Sequence, residues 1–104
     1  MRKRRYEILL PLVHNDRRPV NPEKFQQTRD ELIAQFGALS FYPQPVLGVW
    51  LHQGTRYEDE SVRISIDVDD SSENQLFFVQ LKANLLERFE QIEVYIVSYP
   101  VDII

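Results

Sequence analysis

The chain has 104 residues, 43% of them hydrophobic and 12% aromatic, and carries a formal net charge of −4. That is material for one domain with a real core, and it argues against an intrinsically disordered chain. There is no cysteine, which excludes disulfides, cysteine zinc sites and thiol catalysis and favours a cytoplasmic location.

The start, "MRKRR", gathers four positive charges and reads as a solvated, frayed tail over residues 1–5. The apolar run behind it, from Ile8 to Val13, is short and broken by Pro11, so no signal peptide is expected. No stretch reaches the ~18 apolar residues of a membrane span, and no membrane partner is expected. The rest of the chain is acidic and shows no basic stripe, so no nucleic-acid partner is expected either.

Residues 6–13, "YEILLPLV", read as a strand, with Pro11 marking a bulge or the end of regular pairing. Ile8, Leu10 and Leu12 make its better core set. A helix follows, with Asn21 as N-cap, Pro22 at N1, Glu23 on the dipole and Gly37 at C′. Phe25, Leu32, Ile33 and Phe36 form its apolar stripe. "ALSFYPQPVLG" reads as a stiff connection, with Phe41 and Tyr42 held against the helix. Residues 46–53 read as a strand, with Val49 and Leu51 on one face and Trp50 and His52 on the other. "GTRYEDE" reads as a charged turn around Gly54.

"SVRISIDV", residues 61–68, alternates: Val62, Ile64, Ile66 and Val68 face the core, and Arg63, Ser65 and Asp67 face away. Ser72 and Gln75 fit a capping box opening a second helix, whose stripe is Phe78, Leu81, Leu85 and Phe89, with Leu86 beside it. "IEVYIVSY", residues 92–99, reads as the last strand, ended by Pro100, with 100–104 a C-terminal tail. The order βαββαβ is the ferredoxin-like α+β pattern: four antiparallel strands with two helices on one face. Right-handed crossovers give the strand order 4-1-3-2.

In that fold the face without helices carries Trp50, His52, Arg63, Ser65, Asp67, Glu93, Tyr95 and Val97, with Glu7 and Leu9 from the first strand. So apolar a face points to an interface or a ligand groove. The expectation is a homodimer formed through it, with Trp50, His52, Arg63, Asp67 and Tyr95 as ligand or interface residues and a small-molecule ligand possible there. Topology also gathers a loop-end cluster: His14, Asp16 and Arg17 near His52, Gln53, Arg56, Glu58, Asp59 and Glu60.

Chemistry can be asked of both places. Two histidines with Asp16, Glu58 or Glu60 would suit zinc or non-haem iron, but no ligand spacing supports it, and no metal is assigned. "DVDDSSE" lacks the glycine and the final glutamate of a calcium loop. His52 beside Asp67 or Glu93 could act as acid and base on the open face. The bland alternative makes them rim residues of an interface, where aromatics and Arg are common. No G-x-S-x-G, P-loop or dinucleotide pattern occurs, so no cofactor is expected. The leading expectation is a non-catalytic binding or assembly module; the alternative is a small enzyme with His52 and Asp67 as acid/base groups.

"GVW" at 48–50, "YEDES" at 57–61 and "ERFEQIEVYIV" at 87–97 resemble a family of small uncharacterised bacterial α+β domains. Those have a G-x-W strand start, an acid-x-Ser step and an Arg-Phe-x-Gln helix exit. The matching residues are Gly48 and Trp50; Glu58 or Glu60 with Ser61; and Arg88, Phe89 and Gln91. The resemblance covers the C-terminal half and implies the same α+β fold. It lends no activity. Many members carry an export signal that is not seen in this sequence, so their compartment is not carried over.

Overall fold

Charge pairing begins the sheet. In the computed structural model, which describes residues 2–104, strand β1 runs Lys3–Pro11. Its basic start lies antiparallel to the acidic end of β3 (Thr55–Asp69), with Lys3 opposite Asp69 and Arg5 opposite Asp67. Lys3 Nζ lies 2.6 Å from Asp69, Arg4 Nε 2.9 Å from Asp70, and Arg5 donates twice to Asp67, at 2.7 and 3.0 Å. The expected tail is therefore strand from Lys3 onward, because facing strands of opposite charge neutralise each other. Met1 lies outside the described residues.

The remaining elements are α1 (Pro22–Phe36), β2 (Ser40–His52), α2 (Ser72–Arg88) and β4 (Ile96–Val101). The sheet is antiparallel in the order β2-β3-β1-β4, the ferredoxin-like arrangement expected from the βαββαβ pattern. Helix α1 begins and ends on the residues its sequence marks. Asn21 Oδ1 accepts from the Glu23 amide at 3.0 Å. Gly37, at φ 84°, returns its amide to the Ile33 carbonyl. In α2 the cap is Ser71 rather than Ser72, its side chain accepting from the Asn74 amide.

The core lies between the helices and the even-numbered face of β1 and β3. Ile8, Leu10, Val62, Ile64, Ile66 and Val68 meet Leu32, Phe78, Leu81, Leu85 and Phe89 there. Tyr6 joins them, its ring stacked on Phe78 at 3.8 Å. Ile33, expected in the α1 stripe, is exposed, while Phe25 and Phe36 pack partly buried against the core. The helices are tied by Arg88, which reaches Thr28 Oγ1 at 2.8 Å and both Glu31 oxygens at 2.7 and 3.1 Å.

Three boundaries differ from expectation. Ser40–Tyr42, read as a connection, already pair with β3, and the ladder then breaks between Tyr42 and Val46 before resuming. Pro43 and Pro45 lack the amide hydrogens a ladder needs, so the strand bulges there rather than stopping. "YEDE" is strand, not turn: Gln53 and Gly54, at φ 50° and 78°, form a two-residue reversal between His52 and Thr55. Two consecutive positive φ values are what a type I′ hairpin turn requires. The last strand starts at Ile96 and includes Pro100 and Val101 opposite Arg4 and Lys3, so the C-terminal tail shortens to residues 102–104. Tyr95 still contributes its carbonyl to the Leu9 amide at 3.0 Å.

The consequence of longer β2 and β3 is an arm. β1 reaches along β3 only as far as Ser61, while β2 and β3 continue as a two-stranded ribbon to the turn at Gln53 and Gly54. Val49 and Leu51 share the helix-side face as expected, but no helix lies over them. They are 53% and 74% exposed, with Leu47 at 67%.

Candidate functional site on the open sheet face

Alternation carries the odd-numbered residues of β1 and β3 onto the face without helices. Register places Tyr42 opposite Arg63, Gly48 opposite Asp59 and Trp50 opposite Tyr57 across β2 and β3. Leu9 stands opposite Arg63 on the other side. Trp50 and Tyr57 stack with centroids 4.6 Å apart. The indole Nε1 donates to Asp59 Oδ2 at 2.6 Å, which fixes that carboxylate on its strand.

Of these residues, Leu9, Gly48, Trp50 and Asp59 line a groove of about 370 Å³, large enough for a small-molecule ligand. Its floor and sides are Leu9, Pro11, Val46 and Trp50, with Tyr95 and Glu93 from the segment leading into β4. Asp59 faces the groove across from Gly48, a residue with no side chain to cover it. Glu93 is compensated: Lys82 Nζ lies 2.8 Å away, and that hydrogen bond holds the carboxyl below the usual carboxylate range. Of the residues expected on this face, Leu9, Trp50, Glu93 and Tyr95 are thus brought together. Asp59, which lines the groove with them, looked like part of a turn. Its one sequence signal was its place in alternation with Tyr57 and Ser61.

Arg63 stands further along the same face. Its guanidinium carbon lies 4.5 Å from the centre of the Tyr42 ring, and its Nε is buried with no hydrogen-bond partner.

The acid/base pair expected of His52 and Asp67 is not formed. His52 sits beside the hairpin turn, opposite Thr55, with its ring 6.0 Å from Trp50. Asp67 lies twelve positions up β3, on the order of 35–40 Å away at strand rise. Both of its oxygens are taken by Arg5, whose hydrogen bonds hold its carboxyl below the usual range. Antiparallel alternation puts two such residues on one face but leaves them at opposite ends of a long strand.

The loop-end cluster forms in part. A second cavity, of about 450 Å³, is lined by His14, Arg17, Arg56, Glu58, Asp59 and Glu60 among others. His14 is only 6% exposed and acts as a tie. Its Nδ1 lies 3.2 Å from the Phe89 carbonyl, and since a carbonyl only accepts, Nδ1 donates. Asp16 turns instead to Arg18, which holds its carboxyl below the usual range. Arg56 pairs with Glu58 at 3.0 Å. Among the described residues, no three His, Cys, Asp or Glu side chains come together as a metal donor set, and no helix is long and apolar enough to cross a membrane.

No family model matches the sequence, and no curated protein matches it. Solved structures do match. CutA1 from Oryza sativa superimposes with a TM-score of 0.65 at 12% identity, over 98% of this chain and 82% of that one. A phage SAM lyase in complex with S-methyl-5'-thioadenosine gives 0.68 at 22%, over 95% and 88%. The B. subtilis GlnK–ATP complex gives 0.55 at 18%, over 96% and 82%. At such identities the likeness is one of fold, and it places the chain with the ferredoxin-like α+β domains.

Proposed function

We propose that the protein is a self-associating binding module. Two or more copies meet through the open sheet face and the β2–β3 arm, with a small-molecule groove at that junction. The observation that carries this is the arm itself. An isolated two-stranded ribbon is marginally stable in water, yet this one presents Leu47, Val49 and Leu51 to solvent on its helix-side face. Contiguous exposed apolar surface of this kind marks an interface. A second copy of the chain supplies a matching apolar surface: Tyr42, Tyr95 and Tyr99 stand exposed on the open face.

Arg63 supports the same reading. A buried guanidinium nitrogen without an acceptor is costly, and a carboxylate or carbonyl from another copy would satisfy it. The groove supports a ligand, since its walls are mostly apolar with few polar groups. Two of the structures sharing this fold were solved with S-methyl-5'-thioadenosine and ATP, molecules of a size that such a groove would suit. The separation of His52 from Asp67 favours binding over the acid/base alternative.

Light scattering at tens of micromolar tests the assembly. The wild type is expected at a multiple of the 12.4 kDa chain mass, and Leu51→Asp or Tyr95→Asp is expected to return it to one chain with an unchanged far-UV spectrum. A wild type that runs as a single chain overturns the proposal.

A further inference from the structure

We infer that the groove beside Trp50 recognises a small organic cation, an ammonium or sulfonium group carried on an apolar body. This goes beyond the assembly reading and does not need it, because the groove is formed within one chain.

Charge complementarity makes the case. Asp59 is half-buried, and its Oδ2 is held by the indole of Trp50 at 2.6 Å. That neutral donor fixes the carboxylate without cancelling its charge. The ion pairs of the neighbouring strand residues go elsewhere: Arg56 to Glu58, and the basic residues of β1 to Asp67, Asp69 and Asp70. Asp59 thus brings a net negative charge to a groove whose other lining is mainly Leu9, Pro11, Val46, Trp50 and Tyr95. A partly desolvated carboxylate in an apolar wall attracts a cation more strongly than one in water.

The aromatic residues select which cation. Ring faces attract positive charge, and aromatic walls are the usual receptor for alkylated ammonium groups. A metal ion would need several oxygen or nitrogen donors, and besides the neutral side chains of Ser61 and Gln91 the groove offers only Asp59 and a Glu93 already engaged by Lys82. An alkylated onium head needs only one carboxylate and apolar walls, which this groove has. Gly48 makes the room: it stands opposite Asp59, and a Cβ there would meet nothing within 4 Å.

Trp50 is the only tryptophan in the chain, so its fluorescence reports on the groove. The experiment titrates the full-length protein with choline, with benzyltrimethylammonium, and with 3,3-dimethyl-1-butanol, the uncharged isostere of choline. Both cations are expected to shift the emission saturably, with the isostere at least tenfold weaker. Asp59→Asn keeps an oxygen for the indole to bond and is expected to abolish that preference. Gly48→Val is expected to weaken both cations by filling the space, with thermal melts confirming that each variant is folded. Equal response to choline and its isostere, no saturable response to either cation, or an Asp59→Asn protein that keeps the preference overturns the inference. Light scattering on the same samples separates the two proposals: a single chain that binds the cations sinks only the assembly, and an assembly that ignores them sinks only the ligand.

Discussion

Asp67 and Arg5 show how much a single pairing can redirect. From alternation alone Asp67 belongs to the open face with Trp50 and His52, and that is the face it occupies. What alternation does not carry is distance along the strand or the identity of the cross-strand partner. The partner comes from "MRKRR", a stretch whose charge density resembles a solvated end until β3 is laid beside it. The pairing has a pH signature. Arg5 holds the Asp67 carboxyl below its ordinary range through side-chain hydrogen bonds. A depressed folded pKa contributes stability that is fully present above the unfolded value, near pH 4, and is lost as pH falls through the folded one. Urea midpoints of wild type and Asp67→Asn are therefore expected to differ by a constant amount from about pH 5 to 7 and to converge toward pH 2. A gap that stays constant down to pH 2 would remove Asp67 as its source. The side chains are partly exposed, so the gap is small and narrows further in high salt.

Elements bounded by local chemistry were legible, and elements bounded by tertiary pairing were less so. Helix α1 starts and stops where Asn21, Pro22 and Gly37 say it should, because caps act on the neighbouring few amides. In sequence β2 looks shorter than it is because Pro43 and Pro45 break a ladder locally, whereas the strand recovers its partner on either side of the bulge. The turn of the arm is hidden in the sequence for a related reason. Gly54 marks a reversal by itself, but Gln53 at φ 50° is the kind of residue that adopts positive φ only when both flanking strands hold it there. The exit of α2 is anchored from several sides. Phe89 caps the helix, is fully buried against Phe25 at 5.2 Å between ring centroids, and lends its carbonyl to both His14 and Gln91. Phe89→Ala leaves a cavity where three segments meet, and it is expected to lower stability by about 3–5 kcal/mol in urea unfolding. A loss under 1 kcal/mol would mean that these segments hold together without it.

At the scale of the whole molecule the topology was readable, because βαββαβ with right-handed crossovers leaves few alternatives. The shape was not. The chain measures 43 × 29 × 24 Å, elongated by an arm that no pattern of polar and apolar residues announces. Val49 and Leu51 alternate as core residues do, and only the lengths of β1 and the helices decide that nothing in the same chain covers them. Hydrogen exchange offers a test at this scale. If other copies cover the arm, amides of residues 47–57 are expected to exchange more slowly as protein concentration rises, by tenfold or more across the association range. The amides of β1 are expected to stay unchanged. Arm protection independent of concentration would mean that the ribbon holds itself.

The prolines that obscured β2 have a second effect. β2 and β4 are the two outer strands of the sheet, and both contain proline: Pro43 and Pro45 in one, Pro100 in the other. An outer strand is a template on which further strands can stack without limit, and a residue with no amide hydrogen spoils the template. A chain that displays so much apolar surface runs a risk of growing into fibres. By removing amide hydrogens from both rims of the sheet, these three residues leave fewer places where a further strand could pair, so the open face and the arm, rather than the sheet edges, are where another chain would meet this one.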